Sequence, residues 1–334
     1  MLATLLLAAI TDVWAGHATH PAVVNPVSYE TFGRPATVIS LAGEWDLRTA
    51  PHGSGLKTTQ YVNDLWTGKS RKVRVPSCWE AQGVGEAGKG DSWDPKWDEC
   101  SKPIRHKYMG EGWYRRNVTI PAGWRGKRVW LKVGGVKSVG WIWVNDVQVA
   151  HVDNYCGTEK YEITDLVRPG ESAKIVIDVD NRKPSRKGLM SSVHRWGGIY
   201  RDIELEATPQ TFVDDVWTRG DFDAKTAEVH VEIGGKSEEG SGIRLRVSVE
   251  DEVVETGVSE GDNVVRLPLR DFRPWSPEHP NLYTAKVELV ENGCVVQTRL
   301  ERFGVRKLEV RGKEFYLNGK PFFARGFGDD SVYP

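Results

Sequence analysis

The chain lacks most of the patterns that announce a chemistry. Its four cysteines, Cys78, Cys100, Cys156 and Cys294, are widely spaced and form no C-x-x-C pair, which argues against a zinc ribbon or a redox dithiol. The eight histidines are scattered without a His-x-x-x-His pair, so no catalytic metal site and no cofactor is expected. There is no G-x-S-x-G elbow to support serine hydrolysis. Neither sign of charge dominates, 45 basic residues standing against 46 acidic ones. That balance gives no basic stripe for nucleic acid and no acidic solvating tail. The apolar run of the leader is too short to span a bilayer as a helix, and no other segment is long and apolar enough. No stretch before residue 314 has a convincing helical period.

What is present reads as strands. "RVWLKV" (128–133) and "AKIVIDVDN" (173–181) alternate apolar and polar residues. "WIWVNDVQVAH" (141–151), "AKVELVENGCVVQTRL" (285–300) and "EFYLNGKPFF" (314–323) each place two strands around a two-residue turn, Asn145-Asp146, Asn292-Gly293 and Asn318-Gly319. These residue pairs tolerate the positive φ that tight hairpins require. Strands recurring every 8 to 12 residues predict β-sandwiches. A proline and a change of strand set near 206–217 divide the chain. The expectation is a leader over 1–15, a long sandwich over 26–208, an immunoglobulin-like sandwich over 209–307, and a further element from 308 to 334. The leader is the apolar run Leu2–Ile10 followed by small residues before Gly16, read as a signal peptide that places the protein outside the cytoplasm, secreted or periplasmic. In an exported protein Cys78 and Cys100 could pair; free thiols are the other possibility.

Several motifs are weaker than they look. "GVGEAGKG" (83–90) matches a dinucleotide fingerprint, but "DSWDPKWD" follows it where a helix would be needed, so it reads as a surface loop. "DVDN" (178–181) offers calcium-type ligands but is read as acids ending a strand in solvent. "NVT" (117–119) is a glycosylation sequon inside a strand pattern. The stretch "DSWDPKWDECSKPIRHKYMGEGWYRR" (91–116) is more informative. It interleaves Trp93, Trp97, Tyr108 and Trp113 with Asp94, Asp98, Glu99 and Glu111. Aromatic faces beside carboxylates suit a sugar, and the fourteen tryptophans of the chain fit that reading. The competing reading is that these aromatics pin a long loop to the sandwich.

Taken in order, "LAGEWDL" (41–47), "VPSCWE" (75–80), "GWYRRNVTIPAGWRGKRVWLKVGGV" (112–136), "WIWVNDVQVAHVDNY" (141–155), "YEITDLVRPGESAKIVIDVDN" (161–181), "RWGGIYRDIEL" (195–205), "FRPWSPEHPNLYTAKVEL" (272–289), "RFGVRKLEV" (302–310) and "FYLNGKPFFARGFG" (315–328) resemble the front half of glycoside hydrolase family 2, which comprises β-galactosidases, β-glucuronidases and β-mannosidases. The resemblance implies a jelly-roll sugar-binding-type sandwich, an immunoglobulin-like sandwich, and the entry to a (β/α)₈ barrel whose first strand would be residues 322–328. A barrel needs roughly 250 residues, so the barrel would be truncated here. The retaining scheme of the family uses two glutamates about 5–5.5 Å apart; both would lie on later barrel strands, and no catalytic residue is assigned.

Residues that the resemblance brings forward for substrate are Arg325, Asp329 and Asp330 at the end of the expected barrel strand. Trp93, Asp94 and Trp97 are brought forward by the aromatic stretch. Some members carry an acid just before the Gly-Ile-Tyr-Arg strand; 190–196 has none here, and His194 and Arg195 stand there instead, which would suit an acidic or sulfated sugar. The expected partner is an oligosaccharide or polysaccharide, with no nucleic acid and no membrane. The alternative function is a stand-alone carbohydrate-binding protein without hydrolase activity. A third reading is a scaffold half that assembles with a separately encoded barrel.

Overall fold

The computed structural model describes residues 37–50, 66, 69–87, 106–153, 157–182, 196–235 and 242–326. Among these there is no α-helix, only short 3₁₀ turns such as Glu80–Gln82, Ala122–Trp124 and Thr164–Leu166. The described residues before 209 form one unit and those from 209 form another.

The first unit holds β1 (Val38–Ser40), β2 (Gly43–Ala50), β3 (Arg71–Val75), β4 (Glu86–Ala87), β5 (His106–Lys107), β6 (Glu111–Thr119), β7 (Arg128–Val133), β8 (Val136–Lys137), β9 (Val139–Val144), β10 (Val147–Val152), β11 (Glu159–Glu162), β12 (Ser172–Asp180), β13 (Gly198–Ile199) and β14 (Ile203–Thr208). A six-stranded sheet in the order β10-β9-β12-β6-β2-β3 and a four-stranded sheet in the order β1-β14-β7-β11 make the sandwich. Its core follows from alternation. Trp45 and Leu47 of β2, Tyr114 of β6, Ile142 and Val144 of β9, and Ala173, Ile175, Ile177 and Val179 of β12 meet Leu131, Val133 and Leu205 of the other sheet. β12 is the centre of the larger sheet, and its outward residues are buried as well. Val176 packs with Trp113 and Trp143 in a separate small cluster, with Trp66 and Trp141 against it. The Arg115 guanidinium lies 4.3 Å from the Trp66 ring.

The second unit holds β15 (Phe212–Asp221), β16 (Thr226–Gly234), β17 (Ile243–Val249), β18 (Glu252–Gly257), β19 (Gly261–Pro268), β20 (Tyr283–Glu291) and β21 (Cys294–Phe303). Sheets β15-β16-β19 and β18-β17-β20-β21 enclose one core of alternating residues, Val229 and Val231 on one side and Val247, Val287 and Leu289 on the other. Tyr283 stacks on Phe303, and its hydroxyl donates to the Asp271 carbonyl. A three-stranded meander, β22 (Leu308–Arg311), β23 (Glu314–Leu317) and β24 (Lys320–Phe322), follows. All three expected hairpins form with positive φ: 45° and 69° at Asn145-Asp146, 51° and 79° at Asn292-Gly293, and 51° and 79° at Asn318-Gly319.

Two expectations are corrected here. The strand foreseen over 322–328 does not form in its described part: β24 ends at Phe322 and residues 323–326 are irregular. A strand persists where its N–H and C=O groups find a neighbour, and β24 pairs only with β23 among the described residues. The glycine-rich stretch is also not a free surface loop at its start. Gly83 closes the 80–82 turn in a left-handed conformation, Val84 is buried, and a Cβ on Gly85 would fall 2.1 Å from the Lys107 carbonyl oxygen.

One carboxylate in the second sandwich stands in an unfavourable setting. Burial, and secondarily the charge of Asp215, raise the pKa of Glu301 above its ordinary value. The sign is then fixed. A carboxylate raised in the folded state costs nothing below its unfolded pKa, and stability falls as pH rises through the folded value. Glu301→Gln is therefore expected to raise the melting temperature at pH 7, with the gain vanishing at a pH below the ordinary glutamate range. A drop at pH 7 would show that the ionised form has a stabilising partner instead.

Candidate functional site

The strand register of the larger sheet gathers several connections at one end. Ala50 lies opposite Glu111, Glu111 opposite Asp180, Asp180 opposite Val139, and Gly140 opposite Val152. The described residues that flank 51–65, 88–105, 154–156 and 183–195 are therefore neighbours at this end of the first sandwich. Trp93, Asp94 and Trp97 belong to the second of those segments, and His194 and Arg195 to the fourth. All five lie outside the described residues, as do Asp329 and Asp330. Arg325 is described; it is exposed in the irregular stretch after β24. None of these residues is therefore placed against another.

A buried ionic network occupies this end. Glu111 and Asp180 are almost wholly buried, and both accept from Arg182: Nη2 to Glu111 Oε1 at 3.2 Å, Nη2 to Asp180 Oδ2 at 3.0 Å and Nε to Asp180 Oδ1 at 3.0 Å. The second Glu111 oxygen accepts from Trp113 Nε1 at 3.2 Å. The forked guanidinium suits two carboxylates at once. Its hydrogen bond to Asp180, opposed by some burial, raises the pKa of Arg182 further. Asn181 staples the chain that precedes β6: its Oδ1 accepts from Gly110 N at 3.0 Å and its Nδ2 donates to the Tyr108 carbonyl at 2.8 Å. The Tyr108 hydroxyl donates to the Glu111 carbonyl at 2.8 Å. Burial pushes the pKa of that hydroxyl up, so it stays a neutral donor.

This geometry overturns the reading of "DVDN" as acids in solvent. Asp178, Asp180 and Asn181 are all buried. They extend the central strand onto a face that is itself covered, so the Asp180 charge is held by Arg182 rather than by water. Among the described residues no cluster of three or more His, Cys, Asp or Glu is arranged to hold a metal ion. Within the aromatic stretch the described members, Tyr108 and Trp113, are buried, so these two pin the chain rather than offer a face to ligand. Cys78 is a buried free thiol, and burial raises its pKa.

A second node anchors the return of the chain after 183–195. Glu80, buried, accepts from Trp79 Nε1 at 2.5 Å and from Gly197 N at 3.2 Å. The Trp79 backbone N–H donates to the Gly197 carbonyl at 3.0 Å. The Trp79 ring has glycine on two sides: a Cβ on Gly197 would lie 2.0 Å from it, and one on Gly112 2.3 Å. Gly198 and Ile199 then pair with Lys137 and Val136, and the buried Lys137 ammonium stands 5.3 Å from the Trp196 ring.

Arg182, Glu80 and Lys137 had no distinct motif. The sequence signal for the first was the alternation of acids inside an apolar strand, "IVIDVD", which requires a cation nearby once both faces are covered.

The chain thus holds two β-sandwich units in sequence, the first with sheets of six and four strands and the second immunoglobulin-like. The profile of the glycosyl hydrolases family 2 sugar binding domain matches residues 38–209, and that of glycosyl hydrolases family 2 matches residues 211–306. The chain belongs to glycosyl hydrolases family 2. A β-galactosidase of Streptococcus thermophilus is 25% identical over 299 residues, covering 86% of this chain and 29% of its own length. A β-glucuronidase of Paenibacillus borealis is 26% identical over 244 residues, covering 66% of this chain and 40% of its own. A putative β-glucuronidase of Formosa agariphila is 30% identical over 229 residues, 64% of this chain and 27% of its own. The chain thus spans well under half the length of these curated relatives. The β-glucuronidase of Ruminococcus gnavus shares the fold, with a TM-score of 0.64 at 19% identity over 85% of this chain and 48% of that one.

Proposed function

We propose that the chain carries the sugar-binding-type and immunoglobulin-like domains of an exported glycosidase that hydrolyses β-linked sugars with retention. The observation that carries this reading is the match of both sandwiches, in order, to one glycosidase family. The relatives are named for galactosides and for glucuronides, so the sugar is left at the level of a β-linked pyranoside. The two sandwiches themselves hold no hydrolytic pair in this proposal. A retaining centre needs one carboxylate free to attack and a second able to give a proton; Glu111 and Asp180 share one guanidinium in a buried network and have neither freedom. Their role is to hold the rim of the first sandwich. The segments carrying Trp93, Asp94 and Trp97, and His194 and Arg195, are proposed to shape the sugar site from that rim. Arg325, Asp329 and Asp330 are proposed to bond substrate hydroxyls.

The test is the intact mass of the protein from its native host, with the gene read beyond codon 334. A heavier product with two further glutamates on barrel strands, active on aryl β-glycosides, is expected. A product of this size that binds a polysaccharide column without hydrolysis would replace the reading with a carbohydrate-binding protein. Hydrolysis by the 334-residue chain that Glu111→Gln abolishes would overturn the placement of catalysis elsewhere.

A further inference from the structure

The outward face of the sheet β15-β16-β19 has an unusual layout. On β16, Ala227, Val229, Val231 and Ile233 enter the core, which turns Glu228, His230 and Glu232 outward. The register aligns three rows across the sheet: Asp215, Glu232 and Asp262; Trp217, His230 and Val264; Arg219, Glu228 and Arg266. The middle row is apolar and open, with Trp217 47% and Val264 48% exposed. A row of acids lies on one side of it and two arginines on the other.

Trp217 is also fixed in orientation. Its ring stacks on His230 with centroids 3.5 Å apart and an angle of 10°. His230 is held in turn by Asp262, Nδ1 to Oδ2 at 3.1 Å. One face of the indole is thus covered. β15 is an end strand of this sheet, and with one face on His230 the indole still keeps about half of its surface open to solvent. An indole ordered in advance pays little entropy when a ligand covers it.

Arg219 stands two residues along the same strand and face. The carboxylate opposite it, Glu228, already accepts from Arg266 Nε at 2.7 Å. Arg219 acts on that carboxylate through its charge, after Arg266, and helps to lower the pKa of Glu228. A planar guanidinium recognises an anion with two parallel oxygens, and an exposed aromatic face recognises an apolar ring face. One ligand class offers both about a side chain's length apart: a pyranose that bears a carboxylate.

We propose that this face of the second sandwich is a carbohydrate-binding platform for acidic pyranose residues, with the sugar's C–H face on Trp217 and its carboxylate on Arg219. The platform stands independently of the glycosidase reading, since it needs no catalytic centre. It would hold an acidic polysaccharide on the protein.

The experiment is affinity electrophoresis of the 334-residue chain in gels containing polygalacturonate, with hydroxyethylcellulose as the neutral control. The variants are Trp217→Ala and Arg219→Gln, both at exposed positions, with folding checked by circular dichroism. Retardation by the acidic polymer is expected. Trp217→Ala should weaken it at least about tenfold, the scale of one aromatic contact plus its buried area. Arg219→Gln should remove the preference for the acidic polymer over the neutral one. Retardation of Trp217→Ala equal to that of the parent, equal retardation in both gels, or no retardation would each overturn the proposal. A parent dimer that Trp217→Ala dissociates would overturn it too, by making this face a contact between copies.

Discussion

Gly197→Ala is expected to unfold the first sandwich while leaving the second intact. The added methyl would meet the Trp79 ring at 2.0 Å, and that ring is fully buried with Gly112 on another side. It cannot swing away, because its Nε1 is tied to Glu80 and the backbone of the same residue is tied to Gly197. Overpacking ordinarily costs about 1–3 kcal/mol. Here the obstacle is a locked indole, and a cost above about 4 kcal/mol is expected, of the size reserved for identifiable steric or cavity mechanisms. Two-step thermal unfolding, with the lower transition lost, would show it. A double-mutant cycle supplies the control: in Trp79→Leu the methyl has room, so Gly197→Ala should cost at least about 1 kcal/mol less there than in the parent. Equal costs in the two backgrounds would refute the steric account.

Arg182→Met is the second large effect. The substitution keeps an apolar stem of similar length and removes the cation that both Glu111 and Asp180 accept from. Breaking a fully buried pair by deleting one partner costs about 3–5 kcal/mol. The Arg182 side chain is 31% exposed, so solvent offsets part of this, and a loss of about 2–3 kcal/mol is expected. The replacement Glu111→Gln in the Arg182→Met background should recover part of the loss, since one buried charge is then gone. Failure of that rescue, measured by urea unfolding of the first sandwich, would show that other groups carry the two carboxylates.

The fold was largely legible because its determinants are local. Asn145-Asp146, Asn292-Gly293 and Asn318-Gly319 each specify a hairpin from two residues. Alternation in 173–181 specifies which side of β12 faces the core. The site was less legible because its determinants are non-local. That Asp178 and Asp180 are buried depends on Trp113, Trp143 and Val176 covering the outer face of the sheet, and no window around residue 180 contains that information. The same holds for Glu80, whose partner Gly197 is 117 residues away. Of the residues first favoured for substrate, Arg325 alone is among the described residues.

The tight hairpins also give the molecule an age. An asparagine followed by glycine is open to attack on its side-chain amide by the next backbone nitrogen, because glycine shields that nitrogen least. The product is an aspartate or its isomer, with one more negative charge. Asn318 is guarded: its amide oxygen accepts from Lys307 N at 3.0 Å and its nitrogen donates to the Trp275 carbonyl at 2.9 Å. Asn292 sits exposed at the tip of the β20–β21 hairpin. Stored protein should therefore accumulate its charge variant at Asn292 well before Asn318, so one turn of the second sandwich works as a clock and the other stays silent.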